Sequence, residues 1–239
     1  MAEHVFIVGG TSGIGLAAAA RLKAAGYAVT IAGRDPGKLD SARRLLGEAG
    51  GLAMDACDDR AVTAAFASVG PIDHLVLAFG SHQGAGPLAA VTMDSVRAGF
   101  AEKTLPHIAC LKAALPTLRP DGSVTILSAV SAYAGMPGTA GLAAANAAVA
   151  ALVPALAAEL RPLRINGVAP GVVDTPWWNF MPAEQKQAAF ASYAAMTPVG
   201  RNGAPEDIAD AIGFLIGNGF MNGETIVCDG GVRWGGRPA

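Results

Sequence analysis

Several things are scarce in this 239-residue chain, and each scarcity narrows its class. An excess of basic charge is missing: 17 Lys and Arg stand against 19 Asp and Glu, a formal net charge of −2. That balance leaves no footprint for nucleic acid and no polybasic segment for an anionic membrane surface. Cysteine is scarce too. Cys57, Cys110 and Cys228 are odd in number and far apart, with neither zinc-ligand nor redox spacing, so no metal site is expected and the thiols read as reduced, in a cytoplasmic protein. The first residues, MAEHVFIVGG, lack a basic region followed by a long apolar run, so no signal peptide is expected. Charge is absent altogether from Gly122 to Ala158. A membrane span needs ~20 strongly apolar residues. The best window, Thr139–Ala158, is mostly alanine and carries Asn146 and Pro154, so the stretch reads as a buried strand feeding a buried helix. No linker, repeat or low-complexity tail breaks the chain, which predicts one domain over residues 1–239.

What is present is alternation. Short, almost continuously apolar runs (HVFIVGG, YAVTIAGR, GLAMD, IDHLVLAFG, GSVTILSA, RINGVAPG, ETIVCDGG) alternate with six longer helical ones. That pattern predicts an α/β, Rossmann-type, doubly wound parallel sheet of seven strands, buried on both faces by helices. One long helix is expected from Thr92 to Leu118, kinked at Pro106. The only long insertion spans about residues 172–203, between the sixth strand and the last main helix.

IVGGTSGIG closes the first strand and opens the first helix. Gly9, Gly13 and Gly15 give a tight turn and let backbone approach a diphosphate facing the helix N-terminus. This context predicts a dinucleotide site. The second strand ends IAGRD, where Arg34 suits a 2′-phosphate. NADP(H) is therefore expected over NAD(H), which Asp35 keeps possible as a ribose ligand.

These residues in this order resemble the short-chain dehydrogenase/reductase family over nearly the whole chain. The segments that carry the resemblance are GGTSGIG, Asp55 after the third strand, INGVAPGVVDTP, PVGRNGAPEDIADAIGFL and NGETIVCDGG. It implies a cofactor site made of Gly9, Thr11, Ser12, Gly13, Ile14, Gly15, Arg34, Asp55, Ala78, Gly80, Asn146, Pro170, Gly171, Val173 and Thr175. It also implies a homo-oligomer, a dimer or usually a tetramer. The resemblance breaks at the catalytic set. The family uses Asn, Ser and Tyr-x-x-x-Lys. Here the tyrosine position falls on Leu142, the lysine position on Asn146, the serine position on Ala129 and the helix asparagine position on Lys103. The strand motif usually written NNAG reads LAFG.

Hydride addition to a ketone builds negative charge on oxygen, and neither leucine nor alanine can donate to it. Loss of a positioned acid costs ~10²–10⁴ in rate. The family places asparagine on the fourth helix and lysine on the fifth. Here the two types are exchanged, so Lys103 is expected to return a cation to the site and the Asn146 amide to bind ribose hydroxyls. Other candidate donors are Tyr133 in the loop after the fifth strand, Ser128 beside the serine position, His82 after the fourth strand, and His107 one turn beyond Lys103. Ser128 is expected to point away from the cleft, because side chains alternate along a strand. In the insertion, Trp177 and Trp178 suit a lid over an apolar substrate. The expected activity is NADP(H)-dependent reduction of an apolar carbonyl, imine or enone with a rebuilt site. The alternatives are a non-catalytic NADP(H) sensor or inactive partner subunit, and a lyase or isomerase that keeps the cofactor only as structure.

Overall fold

The computed structural model describes residues 2–47 and 49–235. Seven strands form one parallel sheet: β1 (His4–Val8), β2 (Ala28–Gly33), β3 (Gly50–Ala53), β4 (Ile72–Leu77), β5 (Leu118–Leu127), β6 (Arg164–Pro170) and β7 (Thr225–Cys228), in the order β3-β2-β1-β4-β5-β6-β7. Successive side chains of a strand point to opposite faces. Val5 and Ile7 therefore pack under α1 (Gly13–Ala24), α2 (Pro36–Leu45) and α8 (Pro205–Gly217). Phe6 and Val8 pack with α3 (Asp59–Val69), α5 (Leu105–Ala114) and α6 (Ala140–Glu159) on the other face. The winding direction reverses between β1 and β4, and a crevice at the carboxyl ends of the strands opens at such a switch point.

The uncharged stretch is β5, a short 3₁₀ turn (Val130–Ala132) and α6. By length and composition alone α6 could cross a membrane, with a mean hydropathy of 1.8. In this fold Gly141, Ala145, Val149, Val153 and Ala157 form its buried stripe, and the stripe faces the sheet. Its N-terminus is fixed by backbone contact: a Cβ on Gly141 would lie 2.6 Å from the Gly84 carbonyl oxygen in the loop after β4.

The long fourth helix differs from its expected form. It is α4 (Met93–Gly99), a π turn (Phe100–Thr104) and then α5. The irregularity lies one turn ahead of Pro106, whose ring has no N–H for the carbonyl four residues back. Inside that turn the Lys103 carbonyl accepts from His107 Nδ1 at 2.7 Å. The insertion also holds an element that was not expected, α7 (Ala183–Met196), after a 3₁₀ turn at Pro176–Phe180. At the start of α8 the Asp207 carboxylate accepts from the Ala204 amide at 2.7 Å and from both terminal nitrogens of Arg201. Those donors hold its pKa down at about 2.

Candidate active site

The glycine bend is shaped by backbone that leaves no room for side chains. Gly9 has φ +84°, and a Cβ there would sit 2.6 Å from the Ala78 carbonyl oxygen at the end of β4. A Cβ on Gly15 would overlap the Gly9 carbonyl. Gly13, at φ +51°, lies against Thr175, so the segment after β6 runs back over the bend. Thr11 presses on Gly33, and Ile14 packs on the core beneath α1. Ser12 is the N-cap of α1, yet its hydroxyl makes no capping bond, and no acidic residue occupies the first turn. The first N–H groups of a helix have no intrahelical partner and carry partial positive charge, so this end of α1 is open to an anion.

Arg34 is exposed and makes no hydrogen bond or ion pair among the described residues. The neighbouring Asp35 is committed to the fold: its Oδ1 caps α2 by accepting from the Lys38 amide at 3.0 Å. Asp55 follows β3 and accepts from the Cys57 amide. Past β6, the Gly171 amide donates to the Cys228 carbonyl, and Val173 bridges to Gly203. An open helix N-terminus, a bend whose glycines leave no room for a Cβ and a guanidinium at the β2 end with no partner among the described residues together fit a nicotinamide dinucleotide.

Beyond this cradle, three elements are tied together by buried hydrogen bonds. Lys103 Nζ donates to the Ser128 carbonyl at 3.2 Å. The Ser128 hydroxyl donates to the Asn146 carbonyl at 2.9 Å, and Thr104 Oγ1 to the Ala145 carbonyl at 3.2 Å. Asn146 Nδ2 donates to the Leu142 carbonyl and to Ser131 Oγ. The π turn, the end of β5 and α6 thus hold Lys103 and Asn146 on the same Ser128.

Lys103 is 7% exposed, and no carboxylate among the described residues lies within ion-pair reach. Burial alone lowers its pKa to about 8, because an unpaired ammonium is costly away from water. His107, fully buried behind it, is pushed to about 3 by burial and then by the Lys103 charge. His107 is fully buried, with its Nδ1 held on the Lys103 carbonyl.

The other candidates separate clearly. The Ser128 hydroxyl turns to the Asn146 carbonyl of α6, and Ser128 is buried. Both donors of the Asn146 amide are engaged within the protein, and the remaining atom, Oδ1, is a buried acceptor without a partner among the described residues. Tyr133 is 43% exposed, and its hydroxyl makes no hydrogen bond among the described residues. His82 stacks flat on Phe180 of the insertion, centroids 4.5 Å apart. Trp178 belongs to the packing of the insertion, with its N–H on the Val173 carbonyl at 3.0 Å and its ring beside Phe190 and Tyr193. Trp177 is 36% exposed, edge-on to Phe180, and its Nε1 has no acceptor among the described residues. Ala129 begins the 3₁₀ turn after β5, and Leu142 lies on the first turn of α6. Two participants went unnoticed in the sequence. Ser131 holds Asn146, and Ser81 donates to Glu102 at 2.6 Å, linking the loop after β4 to the π turn.

Sheet order, glycine bend and switch point define a Rossmann-type dinucleotide-binding fold. Residues 8–233 match a family model described as enoyl-(acyl carrier protein) reductase. The cis-4-hydroxycyclohexanecarboxylate dehydrogenase of Sinomonas cyclohexanicum is 35% identical over 247 residues, covering 96% of each chain. A small-chain dehydrogenase solved in complex with NADPH superposes with a TM-score of 0.86 at 31% identity, over 98% of this chain and 100% of its own. The MalC reductase/Diels-Alderase of Malbranchea aurantiaca superposes at 0.87 with 25% identity, over 98% and 96%. The chain belongs to the short-chain dehydrogenase/reductase family of oxidoreductases.

Proposed function

We propose that this protein is an NADP(H)-dependent reductase of an apolar, ring-bearing carbonyl compound, with Lys103 as the proton donor. The observation that carries this is Lys103 itself, 7% exposed, bonded to the Ser128 carbonyl and with no carboxylate within ion-pair reach among the described residues; burial lowers its pKa to about 8. The cofactor supplies a hydride when bound. Gly9, Gly13, Gly15 and the start of α1 would hold its diphosphate. Arg34 supports the phosphorylated form, because it is free while Asp35 caps α2. The ring-bearing substrate is suggested by the relative named for a hydroxycyclohexanecarboxylate and by the aromatic insertion. Reduction would build negative charge on the carbonyl oxygen. The Lys103 ammonium stabilises that charge and gives up one proton, becoming the neutral amine that its burial favours. Reduction needs the protonated form, so it falls as pH rises through about 8.

A second copy of this chain is the proposed partner. Leu105, Ile108 and Leu115 are exposed along and just beyond α5, beside the small-residue outer face of α6. Cytoplasmic residence remains part of the proposal, resting on the unpaired cysteines.

The test is NADPH oxidation with a panel of cyclic ketones, enones and imines. Turnover that drops at least ~10²-fold in Lys103→Ala and survives in Tyr133→Phe supports the assignment. Turnover unchanged in Lys103→Ala refutes it. NADPH binding without turnover of any compound would favour the second reading, an inactive nucleotide-binding partner, for which Ala129 and Leu142 speak.

A further inference from the structure

Gly80 is exposed and follows β4 by three residues, on the same crest as Ala78, which closes the glycine bend. A Cβ built on Gly80 would lie 3.4 Å from Lys103 Nζ and 3.9 Å from Trp177 Nε1. Apart from the chain neighbours of Gly80, nothing else among the described residues comes within 4 Å of that point. Two N–H donors of different elements, one in the π turn and one in the insertion, therefore border one small open space. Neither has its full set of acceptors. Lys103 has a single carbonyl partner for three donor positions, and the Trp177 indole has none among the described residues. The side of this space is aromatic: Trp177 meets Phe180 edge-on at 5.2 Å, and Phe180 stacks on His82 of the loop after β4. Donors converging on one point inside apolar walls fix the orientation of a mostly apolar molecule by its oxygen.

The geometry points to a two-donor oxygen site over Gly80, in which Trp177 Nε1 and Lys103 Nζ together hold the carbonyl or carboxylate oxygen of an apolar substrate. Where that oxygen is the carbonyl's, Trp177 is a second donor to the reacting oxygen. Gly80 is the position that sets specificity, because any side chain there would occupy the seat of that oxygen. The inference rests on the carbonyl-reducing reading above, so its test includes a binding measurement that needs no turnover.

The probe is cyclohexanecarboxylate, an apolar ring with acceptor oxygens, titrated calorimetrically into the NADP⁺ complex of the full chain. Trp177→Phe keeps an aromatic ring and removes only the N–H, and Gly80→Ala places a methyl in the space. Each is expected to weaken the probe at least ~10-fold, the scale of one hydrogen bond to a charged or reacting oxygen, and in Trp177→Phe, which lies outside the cofactor cradle, the Kd for NADP⁺ should change less than ~2-fold. Trp178→Phe, whose N–H serves the Val173 carbonyl, should lower thermal stability without this selective loss. If a ketone substrate is in hand, Trp177→Phe should lower kcat/KM by a similar factor. Unchanged probe affinity in both variants overturns the inference, and so does a loss confined to NADP⁺ binding. Probe binding that depends on Trp177 in a protein without turnover would keep the oxygen site and reject the reductase reading.

Discussion

Replacing Lys103 by methionine should make the protein more stable. Lys103 sits 7% exposed with one hydrogen bond and no counter-ion among the described residues, and burial lowers its pKa from 10.5 to about 8. The difference, 10.5 − 8, is about 2.5 units, worth roughly 3 kcal/mol at 1.36 kcal/mol per unit. Below about pH 8 the lysine is charged in both states, and the folded state bears that whole cost. Between 8 and 10.5 it is neutral when folded and still charged when unfolded, so the cost fades. Above 10.5 it is neutral in both. Methionine has similar length and no charge. It forfeits the bond to the Ser128 carbonyl, about 1–1.5 kcal/mol, which leaves a net gain of roughly 1–2 kcal/mol. For a chain of this size that is a rise in Tm of roughly 2–8 °C. The assay is thermal unfolding of cofactor-free wild type and Lys103→Met at pH 7 and pH 10, since bound nucleotide would mask the difference. The variant should melt higher at pH 7, and most of the gap should close at pH 10. A variant that melts lower at pH 7, or a gap indifferent to pH, would contradict a desolvation cost borne by the Lys103 ammonium.

Four further outcomes follow from the same geometry. Arg34→Ala should weaken NADPH at least ~10-fold, as expected for losing a charge-assisted contact of 1.5–3 kcal/mol, and leave NADH almost unchanged, both read by fluorescence titration. Gly9→Ala, which forces a Cβ to 2.6 Å from the Ala78 carbonyl at φ +84°, should lower Tm and abolish measurable dinucleotide binding. Asp207→Asn loses the α8 cap and the Arg201 pair. It should cost on the order of 1 kcal/mol at neutral pH, reduced by salt because the pair is partly exposed. With the Asp207 pKa lowered from 3.8 to about 2, that contribution is full above pH 3.8 and disappears as pH falls through 2. Ile108→Asp places a charge on the apolar α5 face and should shift light scattering from oligomer to monomer; a wild-type monomer at micromolar concentration would remove the assembly proposal.

The cofactor half of the molecule was legible because its constraints are local. HVFIVGG has the apolar residues of a strand buried on both faces, and GGTSGIG lies where the bend must be. The reactive half was legible only as letters. A lysine at position 103 looks the same in sequence whether it reaches solvent or, as here, lies beneath Gly80. It lies buried within the π turn that precedes Pro106. Nothing in the sequence ties the Asn146 amide to Ser131, fifteen residues earlier and across a loop. Helix α7 escaped notice because its alanines and scattered polar residues give no clear apolar stripe, and none of its residues is fully buried. Contacts such as Gly84 on Gly141 and Ser81 on Glu102 join distant segments through backbone or a single hydroxyl, and periodicity does not encode them.

The pH dependence of kcat/KM for NADPH-driven reduction, from pH 6 to 10, tests the role of Lys103 most directly. The wild type should lose activity above an apparent pKa near 8, and Lys103→Ala should be slow throughout with that limb gone. A wild-type profile flat to pH 10, or the same limb in Lys103→Ala, would place the proton on another group.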